Sequence, residues 1–148
     1  MKFLFLALAF VAGAATSLQI PVNTELRRQL SHPMQATFVS FTVGMLISLA
    51  YCLISGSSAP SLTVMTRAPW WVWCGGLLGV LYIWSSIVLS PKIGLAAMLS
   101  MVIAGQMLMS LLIDHFGHLN APVYPATPQR IAGAMLVIAG AAVMSFGK

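Results

Sequence analysis

The chain has 148 residues, 59% of them apolar and only 6% charged, with a formal net charge of +5. Roughly a quarter of an ordinary soluble domain is charged, so a soluble fold is excluded, and with it most enzymes. The seven basic and two acidic residues separate apolar stretches of about 20 residues, the length that crosses a hydrocarbon core of roughly 30 Å.

The first predicted span runs from Phe3 to Asn23. Ala12, Thr16, Gln19 and Asn23 recur at helical spacing and form one small-to-polar stripe. Pro21 lacks a backbone donor and crowds the carbonyl of Ser17, so a kink and a freed carbonyl are expected beside the two amides. Polar groups at that depth are tolerated inside protein or beside a water-filled cavity, which makes Gln19 and Asn23 candidate solute ligands. Interhelical packing is the other reading, since Gln and Asn also hydrogen-bond membrane helices together. Lys2, the apolar run to Ala12 and the Ala12-Gly13-Ala14 triplet also have the layout of a cleavable signal peptide. The apolar pattern continues to Ile20, however, and cleavage would sever the polar stripe.

The second span, Met34 to Ser55, follows His32-Pro33 and carries Gly44, Ser48 and Tyr51 on one face. Gly56 to Ser61, with Pro60, reads as a loop. The third span, Pro69 to Leu89, opens on Trp70, Trp71 and Trp73, an interfacial aromatic belt. Gly75, Gly79, Tyr82 and Ser86 share a face that begins with a close-packing pair of glycines. Tyr82 and the deeper Trp84 are candidate solute contacts. Ser90-Pro91 is expected to end the helix.

The fourth span, Ile93 to Ile113, leads into Asp114, and Gln106, Ser110 and Asp114 form a polar ladder at i, i+4 and i+8. Gln106 is a further candidate ligand. Asp114 is the candidate proton-coupling acid, with a helix-terminal carboxylate paired to Arg130 as the alternative. Asp114, His115 and His118 offer zinc chemistry only weakly, because no fourth ligand is evident, and no metal or cofactor is expected. The loop from Gly117 to Pro128 holds three prolines, and the fifth span, Pro128 to Phe146, carries Gly133 and Gly140, with Gly147 one heptad further. Gly75, Gly79, Gly133 and Gly140 are candidates for helix packing or a dimer seam.

Cys52 and Cys74 lie inside predicted spans and imply no disulfide. The basic residues flank the membrane in short loops and make no basic patch, so nucleic acid is not an expected partner. No nucleotide-binding or hydrolase motif occurs. With five spans, Lys2, Arg67 and Arg130 face one side, and Arg27, Arg28, Lys92 and Lys148 the other. Excess Lys and Arg mark the cytoplasmic side, and so even a tally allows both orientations. If both orientations coexist, two oppositely inserted copies can meet as an antiparallel homodimer; the other reading is one orientation fixed by a partner protein or by features a charge count misses.

The segments "SLQIPVNTELRR" (17–28), "FTVGMLISL" (41–49), "PWWVWCGGLLGVLY" (69–82), "SPKIGLA" (90–96), "IAGQMLMSLLIDHFG" (103–117) and "TPQRIAGAMLVIAGAAVM" (127–144) together resemble the YdcZ-type family of the drug/metabolite transporter superfamily. The resemblance covers nearly the whole chain. It implies an all-α, multi-pass protein of the bacterial inner membrane, five helices forming half of a ten-helix inverted-repeat transporter, with dual topology in some single chains. The family motifs carry over onto Gln19, Pro21, Asn23, Gly75, Gly76, Gly79, Tyr82, Gly105, Gln106, Asp114 and Gly117. Small multidrug resistance proteins resemble the architecture too, but use a glutamate embedded in their first helix. Here no acid precedes Glu25, so a neutral, hydrogen-bonding solute is expected. The function expected is export of a small drug or metabolite by alternating access, in contact with membrane lipid. The competing readings are a non-transporting assembly subunit or obligate partner of another half-size membrane protein, and an intramembrane enzyme resting only on Asp114, His115 and His118.

Overall fold

The computed structural model describes residues 2–57 and 61–146. Pro60, Gly147 and Lys148, named above for a loop, the glycine repeat and the charge tally, lie outside the described residues. Among the described residues the fold is all-helical, with no strand. The order is α1 (Lys2–Leu30), α2 (Pro33–Ile54), short α3 (Leu62–Arg67), a 3-10 turn (Trp70–Trp73), α4 (Cys74–Ile93), α5 (Leu95–Phe116), a second 3-10 turn (His118–Asn120) and α6 (Pro128–Phe146). Among the described residues, five segments are long and apolar enough to cross a membrane: α1, α2, Trp70–Ile93, α5 and α6. The protein is an all-α polytopic membrane protein.

Three helices differ from the sequence expectation at their ends. α1 continues through Pro21 and past Asn23 to Leu30, because Glu25 accepts hydrogen bonds from Arg28 and Gln29 at 2.9 Å each, one turn on. Ser31, with φ +65, then reverses the chain, and His32 Nδ1 accepts from Met34 N at 3.2 Å to cap α2, with Pro33 at its first position. The Ser90-Pro91 pair, expected as a connection, is helical, and the break falls at Gly94, where φ is +86. Pro91 has no N–H for the carbonyl of Ile87 four residues back. Arg27 supplies the missing donor, Nη1 reaching Ile87 O at 3.3 Å. Between the second and third spans, a six-residue helix, α3, follows the Gly56 to Ser61 stretch, at residues to which the sequence reading assigns no element.

The chain packs as two compact units, Met1–Val88 and Leu89–Lys148. In the first, α1 lies along α2, and Ala36, Ile83 and Ile87 make a core flanked by Leu26 and Tyr82. In the second, α5 lies along α6. The buried residues there are Met98, Ala104, Ala134 and Ala141, mostly small, as close approach of membrane helices requires. Large apolar side chains such as Phe10, Leu46, Ile47, Leu77, Leu136 and Val143 point outward. In water this surface would drive aggregation. In a bilayer it meets acyl chains as apolar as itself.

Candidate solute site

α1, α2 and α4 enclose an open-sided cavity of about 490 Å³, lined by Gln19, Ser40, Phe41, Gly44, Met45, Ser48, Gly79, Tyr82 and Ile83. Such a volume lies within the range of roughly 300–1,000 Å³ typical of small-molecule sites. Each helix contributes through its own periodicity. Ser40, Gly44 and Ser48 are four residues apart on α2, and Gly79 and Tyr82 three apart on α4, so each set shares a face. Gly79 lets the Phe41 ring lie close: a Cβ there would stand 3.0 Å from Phe41 Cζ.

The polar groups of this cavity are not equally committed. Ser48 Oγ donates to Gly44 O at 2.9 Å, a bond that holds the hydroxyl on its own helix. Among the described residues, the Gln19 carboxamide, the Ser40 hydroxyl and the Tyr82 hydroxyl make no hydrogen bond within the chain. They are available to a ligand. The lining contains no Asp, Glu, Lys, Arg or His among the described residues.

Gln19 and Tyr82 thus come together in one cavity. Asn23, one turn beyond Gln19, is buried instead, and its Nδ2 has no hydrogen-bond partner among the described residues. A buried donor left unpaired costs about 1–3 kcal/mol. Trp84 is 38% exposed on α4 and lines none of the cavities described here. Gln106 is exposed on α5 in the second unit. Sequence periodicity had placed Gly44 and Ser48 on a packing face with Tyr51, which is exposed and outside the cavity. It overlooked Ser40, Phe41 and Met45, although the Ser40-Gly44-Ser48 spacing was a readable sign of a small polar stripe.

Asp114 ends the polar ladder in the second unit. Arg130 Nη2 donates to its Oδ2, the helix-terminal pairing weighed above as the alternative. Arg130 Nη1 also donates to Tyr124 O at 2.7 Å, and Tyr124 N donates to Asp114 O at 2.8 Å. His115 Nδ1 accepts from Ala126 N at 3.2 Å. Asp114, Arg130 and His115 therefore strap the long connection onto the ends of α5 and α6. Ser110 donates to Met107 O at 2.9 Å. Of the candidate packing glycines, Gly79 meets Phe41, whereas Gly75, Gly133 and Gly140 have open space where a Cβ would project.

Five spans and a largely apolar cavity bearing uncommitted amide and hydroxyl groups define, among the described residues, a polytopic membrane protein with a candidate solute site. The chain matches, over residues 4–143, the family described as "Putative inner membrane exporter, YdcZ". It is 25% identical over 138 residues to the inner membrane protein YdcZ of Escherichia coli (strain K12), covering 93% of this chain and 92% of that one. No solved structure matches. The chain belongs to the YdcZ family, and it is a multi-pass inner-membrane transporter.

Proposed function

We propose that the protein exports a small uncharged solute, and that Gln19, Tyr82 and Ser40 hold it in the cavity among α1, α2 and α4. The observation that carries this reading is the set of polar side chains without internal partners in a cavity that, among the described residues, has no Asp, Glu, Lys, Arg or His in its lining. The direction follows the family description of an exporter. Asn23, with its unpaired amide, donates to the solute in an occluded state, when the cavity closes from the Gln19 side.

The working unit is an antiparallel homodimer that alternates access, each copy supplying five helices to a ten-helix whole. Gly75, Gly133 and Gly140, open on this chain, leave room for a second copy. Asp114 couples transport to protons by exchanging Arg130 for a proton, which frees the connection between α5 and α6. In everted vesicles, Gln19→Leu lowers solute flux while leaving membrane insertion intact, and Gln19→Leu with Tyr82→Phe abolishes it. Unchanged flux in the double variant rejects the assignment of this cavity.

A further inference from the structure

One aromatic ring separates the Gln19 cavity from a second cavity of different chemistry. The neighbouring open-sided cleft, about 350 Å³, is lined by Met34, Thr37, Phe38, Gly76 and Val80 together with Phe41. Phe41 also lines the Gln19 cavity. On the Gln19 side of the ring stand a carboxamide, a phenol and two serine hydroxyls. On the other side the polar side chain is Thr37, and its hydroxyl already donates to Pro33 O at 3.0 Å. That cleft is left with only apolar surface to offer.

No acid, lysine, arginine or histidine lines either cavity. A charged ligand would lose hydration there and gain no counter-charge. The dividing wall is also built to move. Phe41 rests on the bare backbone of Gly79, and Gly76, across the cleft, has open space where a side chain would project. The ring is 39% exposed, and a partly exposed side chain of this kind changes rotamer quickly. Turned off Gly79 toward the open side of the cavities, it would join the two spaces.

We infer that this unit binds an uncharged amphiphile drawn from the bilayer. Its hydrogen-bonding head sits against Gln19 and Tyr82, its apolar portion lies in the Met34 to Val80 cleft, and Phe41 is the swinging wall between them. This rests on the reading of the Gln19 cavity as the solute site. Bilayer lipid is the competing occupant of the apolar cleft, because an acyl chain satisfies the cleft without using the polar cavity.

The test uses the full chain in lipid nanodiscs, with Cys52 and Cys74 replaced by alanine and a bimane fluorophore on Val80→Cys. Decanamide, decane and decyltrimethylammonium are compared at equal mole fraction in the membrane. Decanamide is expected to give a saturable change in bimane emission that the other two do not. Gln19→Leu should weaken decanamide by about five- to tenfold, the loss of one ligand hydrogen bond. Gly79→Leu, whose side chain crowds the ring and fills the junction between the two spaces, should abolish the response, while Gly13→Leu, which has open space around it, leaves it. Equal responses to decanamide and decane identify a lipid crevice and overturn the inference, as does an equal response to the cation. If flux still depends on Gln19 in that case, the transport reading stands and only the amphiphile is lost. Head-selective binding without flux retains the amphiphile and removes the transport reading.

Discussion

Gly117 ends α5 at φ +64, a left-handed conformation in which a Cβ would stand 2.7 Å from Val123 Cγ2. Gly117→Ala is expected to cost about 1–2 kcal/mol, the penalty of left-handed backbone for an L side chain, read as a lower thermal midpoint in detergent. The Asp114–Arg130 pair is a separate matter, since both side chains are about one-third exposed. An ion pair so placed contributes at most about 1 kcal/mol, so Asp114→Asn should change stability little. Its decisive readout is flux driven by a pH gradient: coupling through this carboxylate predicts that the variant loses gradient dependence, and retention of it removes Asp114 from coupling. The sequence marked both residues, one as a loop glycine and one as an intramembrane acid. It offered both the acid's functional role and its pairing with Arg130, and only the coordinates brought the guanidinium to the carboxylate across 16 residues of chain.

At the scale of the helix, Pro91 and Arg27 are one device. The proline removes the donor for Ile87 O, and the guanidinium of α1 replaces it. Arg27→Leu should therefore destabilise the first unit by about 1–2 kcal/mol. Pro91→Ala restores a backbone N–H at position 91 and should recover most of that loss in the double variant. Additive effects in that double-mutant cycle would show that the two residues act independently. Helix existence was legible throughout because about 20 uncharged apolar residues in a row have few alternatives in a bilayer. Helix ends were less so. Ser90-Pro91 carries the ordinary signal for a stop, yet the helix runs on, with Ile87 O accepting a hydrogen bond from Arg27, 60 positions before it, which no local pattern records.

For the molecule as a whole, the even distribution of Lys and Arg is expected to let the chain insert both ways. With Cys52 and Cys74 replaced, Ser57→Cys should react with an impermeant maleimide to roughly half its total from each face of the membrane. Two lysines added beside residue 57 should drive the population toward one orientation and lower flux by starving the antiparallel dimer of one copy. Labelling from a single face in the unmodified charge background would argue for a fixed topology set by a partner protein.

Span number, membrane residence and the family were decided by composition and motif alone, because hydrophobic length is a property of consecutive residues and needs no folding to be read. The cavity was decided by tertiary structure. Gln19 and Tyr82 were visible as polar residues on separate helices, yet periodicity assigns a face only relative to its own axis. It was the packing of α1, α2 and α4 that brought those faces together, set Phe41 on Gly79 and turned Asn23 inward.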